Sequence, residues 1–295
     1  MAVGCYGKSK VITMEHRFAE VNDIRLHYVI AGSGRPLLLM HGFPQTWYEW
    51  RAIIPRLAEH YTVIAPDYRG AGDSGRTHAG YEKFNVADDL RQLVRQLGFE
   101  KVGLVGHDMG AMVVYAYAAQ YESEVCGLVL MDAPVPGTKA LQAVRASPRA
   151  WHTNFHAVRD LAEFLVAGRE QEYISHFFKS RFTLPGAVPD EDIERYVKAY
   201  STPGAIRAAF EMYRAWEQDA IDNAPHLARK LDIPVMVMGA EMSVSGPTLR
   251  EMTGDIAKNG VYREVAKSGH WLCEQNPDQV GDFLFDFYSN MADWT

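Results

Sequence analysis

The chain of 295 residues is 47% hydrophobic and 23% charged, which supplies a large packed core and excludes a disordered or fibrous protein. A net charge of −7, with basic residues scattered along the chain, excludes the basic footprint that nucleic acid demands. No apolar run approaches the length of a membrane-spanning helix.

The N-terminal stretch mixes Lys8, Lys10, Glu15, His16 and Arg17 with short apolar pieces, so no secretory leader is expected and the expected location is cytoplasmic. Residues 18–21 and 24–31 read as strands joined by Asn22-Asp23, a pair suited to a tight hairpin. The apolar run 36–40 ends in His41-Gly42-Phe43-Pro44, and the run 63–65 ends in Pro66-Asp67-Tyr68-Arg69-Gly70. Runs of this kind suit strands buried on both faces of a parallel sheet. Between them, Trp50, Ile53, Ile54 and Leu57 mark one stripe of a helix predicted over 47–58. The segment from Arg69 to Gly75 is glycine-rich but lacks the Lys-Ser/Thr ending of a phosphate loop, and it reads as an ordinary loop.

The alternation continues with a helix at 85–97, a strand at 102–105, a helix at 111–121 and a strand at 128–131. This βαβ pattern predicts an α/β fold with a mostly parallel, doubly wound sheet. From Pro134 to Asp219 strand signals vanish and aromatic-rich helical patterns follow, broken at Pro185-Gly186, Pro189 and Pro203-Gly204. This segment is expected to be an inserted helical cap at 134–219, leaving 1–133 and 220–295 as the core. Strands at 234–239 and 260–265 and a helix at 278–288 close the chain. The basic cluster Arg145, Arg149 and Arg159 reads as a solvated face, and His156 and His176 as surface or packing groups. Cys5, Cys126 and Cys273 form an odd set without ligand spacing, so neither a disulfide framework nor a metal site is expected.

The chemistry concentrates at Gly106-His107-Asp108-Met109-Gly110, between a predicted strand and a predicted helix. A strand that turns sharply into a helix needs glycines two positions either side of its central residue, and it presents that residue at a helix N-terminus that favours an anion. Asp108 therefore stands where a nucleophile is expected. No Gly-x-Ser-x-Gly occurs, which disfavours a serine esterase; a carboxylate can instead displace a leaving group at an sp³ carbon and leave an ester for water to cleave. His270, in Ser268-Gly269-His270-Trp271 after the last strand, is the candidate base. Asp132 and Glu241 each follow a strand and are both candidates for the acid that orients it, with Asp132 favoured. The backbone N–H groups of Phe43 and Met109 are candidate oxyanion donors, and Phe43, Met109 and Met112 are expected to line an apolar pocket.

With these motifs in place, the chain resembles the α/β-hydrolases with an aspartate nucleophile, which include epoxide hydrolases, haloalkane dehalogenases and fluoroacetate dehalogenases, and it is most similar to Cif-type bacterial epoxide hydrolases. The resemblance is densest at 41–50, 106–110, Met131-Asp132-Ala133-Pro134-Val135-Pro136, Trp151-His152 and 210–215. It implies an α/β-hydrolase fold, a covalent alkyl-enzyme route to a vicinal diol, and no cofactor or metal. It also implies that the relay acid sits at Asp132, where the relatives carry Glu. A cap His/Tyr pair that holds the opened oxygen falls on His152 and Tyr213. The partners implied are a neutral small-molecule epoxide and water, with a homodimer as a possible assembly.

Two other readings remain open. Haloalkane dehalogenases place Trp after the nucleophile, and fluoroacetate dehalogenases place Arg one and four positions after it; here these positions hold Met109 and Met112. Fluoroacetate dehalogenases also follow the cap histidine with Trp, where this chain has Thr153. A binding protein of the same fold is the non-enzymatic alternative, and it would be expected to lack a member of the catalytic set.

Overall fold

The computed structural model describes residues 12–180, 186–243, 245–291 and 294. Cys5, Pro185 and most of the stretch on which the leader expectation rests lie outside the described residues.

Eight strands build one sheet: β1 (Glu15–Val21), β2 (Ile24–Gly32), β3 (Arg35–Met40), β4 (Tyr61–Pro66), β5 (Val102–His107), β6 (Val125–Met131), β7 (Val235–Ala240) and β8 (Gly260–Val265). Their spatial order is β1-β2-β4-β3-β5-β6-β7-β8. The β1–β2 and β2–β4 pairs are antiparallel, and every pair from β4 through β3 to β8 is parallel. The hairpin expected at Asn22-Asp23 is present, with φ of 43° and 62° at its two central residues. The continuous apolar runs are buried along their whole length in β4, β5, β6 and β7. Each is covered on both faces, as a parallel sheet requires.

The core helices before β6 are α1 (Ile54–Leu57), α2 (Lys83–Gln96) and α3 (Met109–Gln120). Over 47–58 a single helix does not form. Trp47–Trp50 is one 3₁₀ turn capped by the Thr46 side chain, and α1 begins afresh with Pro55 in its first turn. Proline lacks the N–H an uninterrupted helix would need there, so the apolar stripe is realised by two short pieces. α3 is buried from Met109 to Ala119, so it carries no polar face and runs through the core.

Between β6 and β7 the described chain is entirely without strands. It forms α4 (Lys139–Ala146), α5 (Trp151–Ala157), α6 (Leu161–Val166), α7 (Glu170–Ser180), α8 (Asp190–Tyr200), α9 (Ala205–Arg214) and α10 (Trp216–Arg229). α10 continues ten residues beyond Asp219, so that expected boundary falls inside a helix. α11 (Gly246–Ile256), α12 (Leu272–Gln275) and α13 (Pro277–Ser289) complete the fold.

Lys83, at the start of α2, is 1% exposed and fastens the helical segment to the core. Its Nζ donates to Asp219 Oδ2 at 2.7 Å and to the Met212 carbonyl at 2.6 Å, and its backbone N–H donates to Asp219 Oδ1 at 2.7 Å. Removing one partner of such a buried pair costs roughly 3–5 kcal/mol, because the other charge is left uncompensated. Cys126 and Cys273 are buried. Among the described residues no group of His, Cys, Asp or Glu could hold a metal ion, and no helix is long and apolar enough to cross a membrane.

Candidate active site

The site lies at the C-terminal ends of β3, β5, β6 and β8, where a parallel sheet gathers the loops that follow its strands. Asp108 occupies the turn between β5 and α3 at φ 50°, ψ −120°, a strained conformation for a side chain larger than glycine. The two flanking glycines make the turn possible. A Cβ on Gly106 would collide with the Gly110 backbone, and one on Gly110 would collide with the Met40 carbonyl.

The turn aims the Asp108 carboxylate so that its two oxygens meet different groups. Oδ1 accepts the Phe43 N–H at 3.0 Å, from the loop after β3 whose Phe43–Pro44 peptide is cis. Oδ2 lies 3.3 Å from His270 Nε2. The Met109 N–H opens α3 directly beside it, among the helix N-terminal donors that have no partner within the helix.

His270 Nδ1 lies 2.8 Å from Asp132 Oδ2. A carboxylate only accepts, so Nδ1 carries a proton toward Asp132. Asp132 is itself held in the left-handed region at φ 44°, its N–H donating to the Met238 carbonyl at 2.8 Å. Glu241 is elsewhere. Its Oε2 accepts the Lys267 N–H at 2.6 Å and it is exposed, so it braces the loop that carries His270 without touching the imidazole.

His152, in α5, and Tyr213, near the end of α9, are 3% and 5% exposed, with ring centroids 5.8 Å apart in an edge-to-face arrangement. Both line a cavity of about 200 Å³ together with Asp108, Asp132 and His270. Met112, Leu141 and Val144 give that cavity its apolar wall. Met112 therefore lies where an apolar pocket residue was expected. The Phe43 ring packs instead among His156, Phe177, Tyr200 and Tyr213 at centroid distances of 5.2–5.8 Å. His156 is fully buried in this aromatic cluster, whereas His176 is exposed.

Sequence reasoning did not single out the group behind Asp108. His107 is 1% exposed, with Nε2 at 2.8 Å from the His270 carbonyl and Nδ1 at 3.3 Å from Glu49 Oε2. Both ring nitrogens thus face acceptors, the arrangement of an imidazolium. Burial alone would lower its pKa, but the Glu49 carboxylate, with Asp108 and Asp132 adding, raises it to about 9. Both residues stand within quoted motifs, yet nothing in their 58-residue separation announces that they meet.

Comparison with known proteins finds a matching family and several relatives. The alpha/beta hydrolase fold family matches residues 35–277. The chain is 37% identical over 283 residues to a soluble epoxide hydrolase of Corynebacterium sp. strain C12, covering 93% of this chain and 97% of that one. It is 32% identical over 292 residues to a fluoroacetate dehalogenase of Burkholderia sp., covering 94% of each. The crystal structure of Cfl2 from Burkholderia cenocepacia superimposes with a TM-score of 0.88 at 35% identity, covering 93% of this chain and 96% of that one.

Proposed function

Since the chain belongs to the alpha/beta hydrolase fold family, we propose that it is an epoxide hydrolase that converts neutral epoxides to vicinal diols through an ester on Asp108. The observation that carries this reading is that Asp108, His270, His152 and Tyr213 line one cavity. Residues 134–219 act as the cap that supplies this pair.

In the first half-reaction, Asp108 Oδ2 attacks an epoxide carbon and the ring C–O bond breaks. An alkoxide is a poor leaving group, so His152 and Tyr213 hydrogen-bond the departing oxygen and one of them gives it a proton, which that donor regains from the Asp108 carboxylic acid left by ester hydrolysis. In the second, His270 Nε2 removes a proton from water and the resulting hydroxide attacks Cγ of the ester. The negative charge develops on Oδ1, which already rests on the Phe43 N–H and gains the Met109 N–H. Asp132 stabilises the imidazolium that forms. Collapse breaks the Cγ–Oδ2 bond, the diol leaves with Oδ2, and the proton on His270 passes to it. No step draws on a metal or cofactor.

A single turnover with enzyme in excess in ¹⁸O-water is expected to yield unlabelled diol and to place the label in the peptide that contains Asp108. Stoichiometric ¹⁸O in the first-turnover diol would make Asp108 at most a general base. The dehalogenase reading rests on the Burkholderia relative, and halide release measured beside diol formation separates the two. Met109 and Met112 offer no carboxylate clamp, which favours neutral substrates.

The same proposal includes a homodimer and the cytoplasmic location. Leu161, Phe164 and Leu165 of α6 are 53%, 74% and 47% exposed, an apolar patch suited to a second copy. Sedimentation showing only the 33.2 kDa species at micromolar concentration would remove the dimer, and recovery from the membrane or extracellular fraction would remove the location.

A further inference from the structure

A buried ion pair stands beside the site, and the two half-reactions give it no part. Glu49, in the 3₁₀ turn, is 0% exposed; its Oε2 meets His107, whereas Oε1 has no hydrogen-bond partner among the described residues. Apolar side chains of similar volume would fill such a place at little or no cost in stability, so packing does not account for two charges there.

The reach of the imidazolium does account for them. His107 ends β5 and is the residue before Asp108. Its Nε2 crosses to the loop after β8 and donates to the main-chain carbonyl of His270 at 2.8 Å, with the two ring centroids 4.9 Å apart and their planes inclined by 45°. Other main-chain bonds of that loop run within it or to the loop after β7. The Gly269 N–H donates to Gln275 Oε1 at 2.6 Å, and the Met242 N–H donates to the Ser268 carbonyl at 3.0 Å. The His107 bond instead ties His270 itself to the strand that carries Asp108. Asp132 thus fixes the direction of the His270 ring, and His107 fixes the main chain from which that ring hangs.

The charge strengthens this tie, because a bond from an ionised donor is roughly twice as strong as a neutral one. A neutral imidazole that donates from Nε2 turns a bare Nδ1 lone pair on the Glu49 carboxylate, so Glu49 favours the cation. Resting on the reading of His270 as the base of ester hydrolysis, we propose that His107 and Glu49 are positioning residues for that step. His107 clamps the His270 main chain so that Nε2 stays within reach of the attacking water, and Glu49 holds His107 in its charged form. Neither residue lines the cavity, and ring opening, which uses Asp108, His152 and Tyr213, does not depend on the clamp.

Rapid-quench single turnovers of styrene oxide and of cyclohexene oxide, with enzyme in excess, separate formation of the Asp108 ester from its hydrolysis. Glu49→Gln keeps the shape of the pair and removes its charge. Glu49→Gln combined with His107→Phe also removes the donor, and it leaves no buried charge unpaired. Ester hydrolysis is expected to slow roughly tenfold in the first, where the clamp becomes a neutral bond, and roughly 10²-fold in the second, where it is gone. Ring opening is expected to change less than about threefold in both, so the ester accumulates. Equal slowing of the two steps, as a general loosening of the site would give, or no slowing of either, overturns the proposal. A second readout does not depend on turnover. The imidazole proton between His270 and Asp132 is expected to give a low-field ¹H resonance in the parent, identified by its loss in His270→Gln. It is expected to shift in Glu49→Gln and to be lost to solvent exchange in the double variant, as the ring leaves Asp132. A resonance that stays sharp and in place in the double variant overturns the clamp. If the parent forms no ester from either epoxide while the resonance responds as expected, the epoxide hydrolase reading fails and the positioning of His270 stands.

Discussion

Asp132 and Glu241 differ in what their carboxylates hold, and that difference makes them separable by mutation. Asp132→Asn keeps the shape of the contact to His270 Nδ1 but can present a donor to it, favouring the wrong tautomer. Ester hydrolysis is expected to slow by roughly 10⁴-fold, as an equivalent change does in a serine triad, while the ester accumulates in a rapid-quench experiment. Glu241→Gln leaves the imidazole untouched and is expected to change the same step less than about fivefold, well under 1.4 kcal/mol. Equal effects of the two substitutions would contradict the proposed relay. On the other side of the cavity, Tyr213→Phe removes one donor from the opened oxygen and keeps the ring packed on Phe43 and Trp216. Pre-steady-state ring opening is expected to lose roughly 3 kcal/mol of transition-state stabilisation, with ester hydrolysis little changed.

At the scale of elements, periodicity reveals what is built from contiguous residues and is silent about what is closed from a distance. The buried strands and the βαβ alternation are legible because burial on two faces demands unbroken apolar runs, as in Val125–Met131. The nucleophile turn is legible because strand, Gly106, Asp108, Gly110 and helix are consecutive. The break between the Trp47–Trp50 turn and α1 is not read from the apolar stripe, which continues across it, although Pro55 marks the place. Buried charge pairs leave no local trace at all. Lys83 and Asp219 are 136 residues apart, and each looks in sequence like an ordinary exposed helical charge. Their pairing joins α2 to α10 and holds the Met212 carbonyl one residue before Tyr213. Lys83→Met is expected to destabilise the protein by about 3–5 kcal/mol in urea unfolding, and Lys83→Met with Asp219→Leu to recover much of that loss.

For the molecule as a whole, the pair between α3's approach strand and the 3₁₀ turn sets a pH window for stability. The folded state holds the His107 proton up to about 9, whereas an unfolded histidine releases it near 6.5. The folded state therefore binds that proton more tightly. The contribution is fully present below about pH 6.5 and is lost as pH rises through about 9. It is about 3 kcal/mol. Thermal melts of the parent are expected to show Tm falling across this window, and melts of Glu49→Gln to show a flatter profile from a lower start. A parent profile that rises toward pH 9 would contradict the imidazolium at His107.

The sheet also orders the chemistry along the polypeptide. Asp108, Asp132, His152 and Tyr213 are all translated before β7, whereas His270 comes after β8, the last strand, 138 residues beyond Asp132. On the proposed roles, the residues that open the epoxide all precede the base that starts release of the product. A chain folded this way but cut short of the loop after β8 would keep the alkylating half of the cycle and lose the half that regenerates the carboxylate. It would consume one epoxide and stop, a stoichiometric scavenger in place of a catalyst, so that turnover is conferred by the final tenth of the chain.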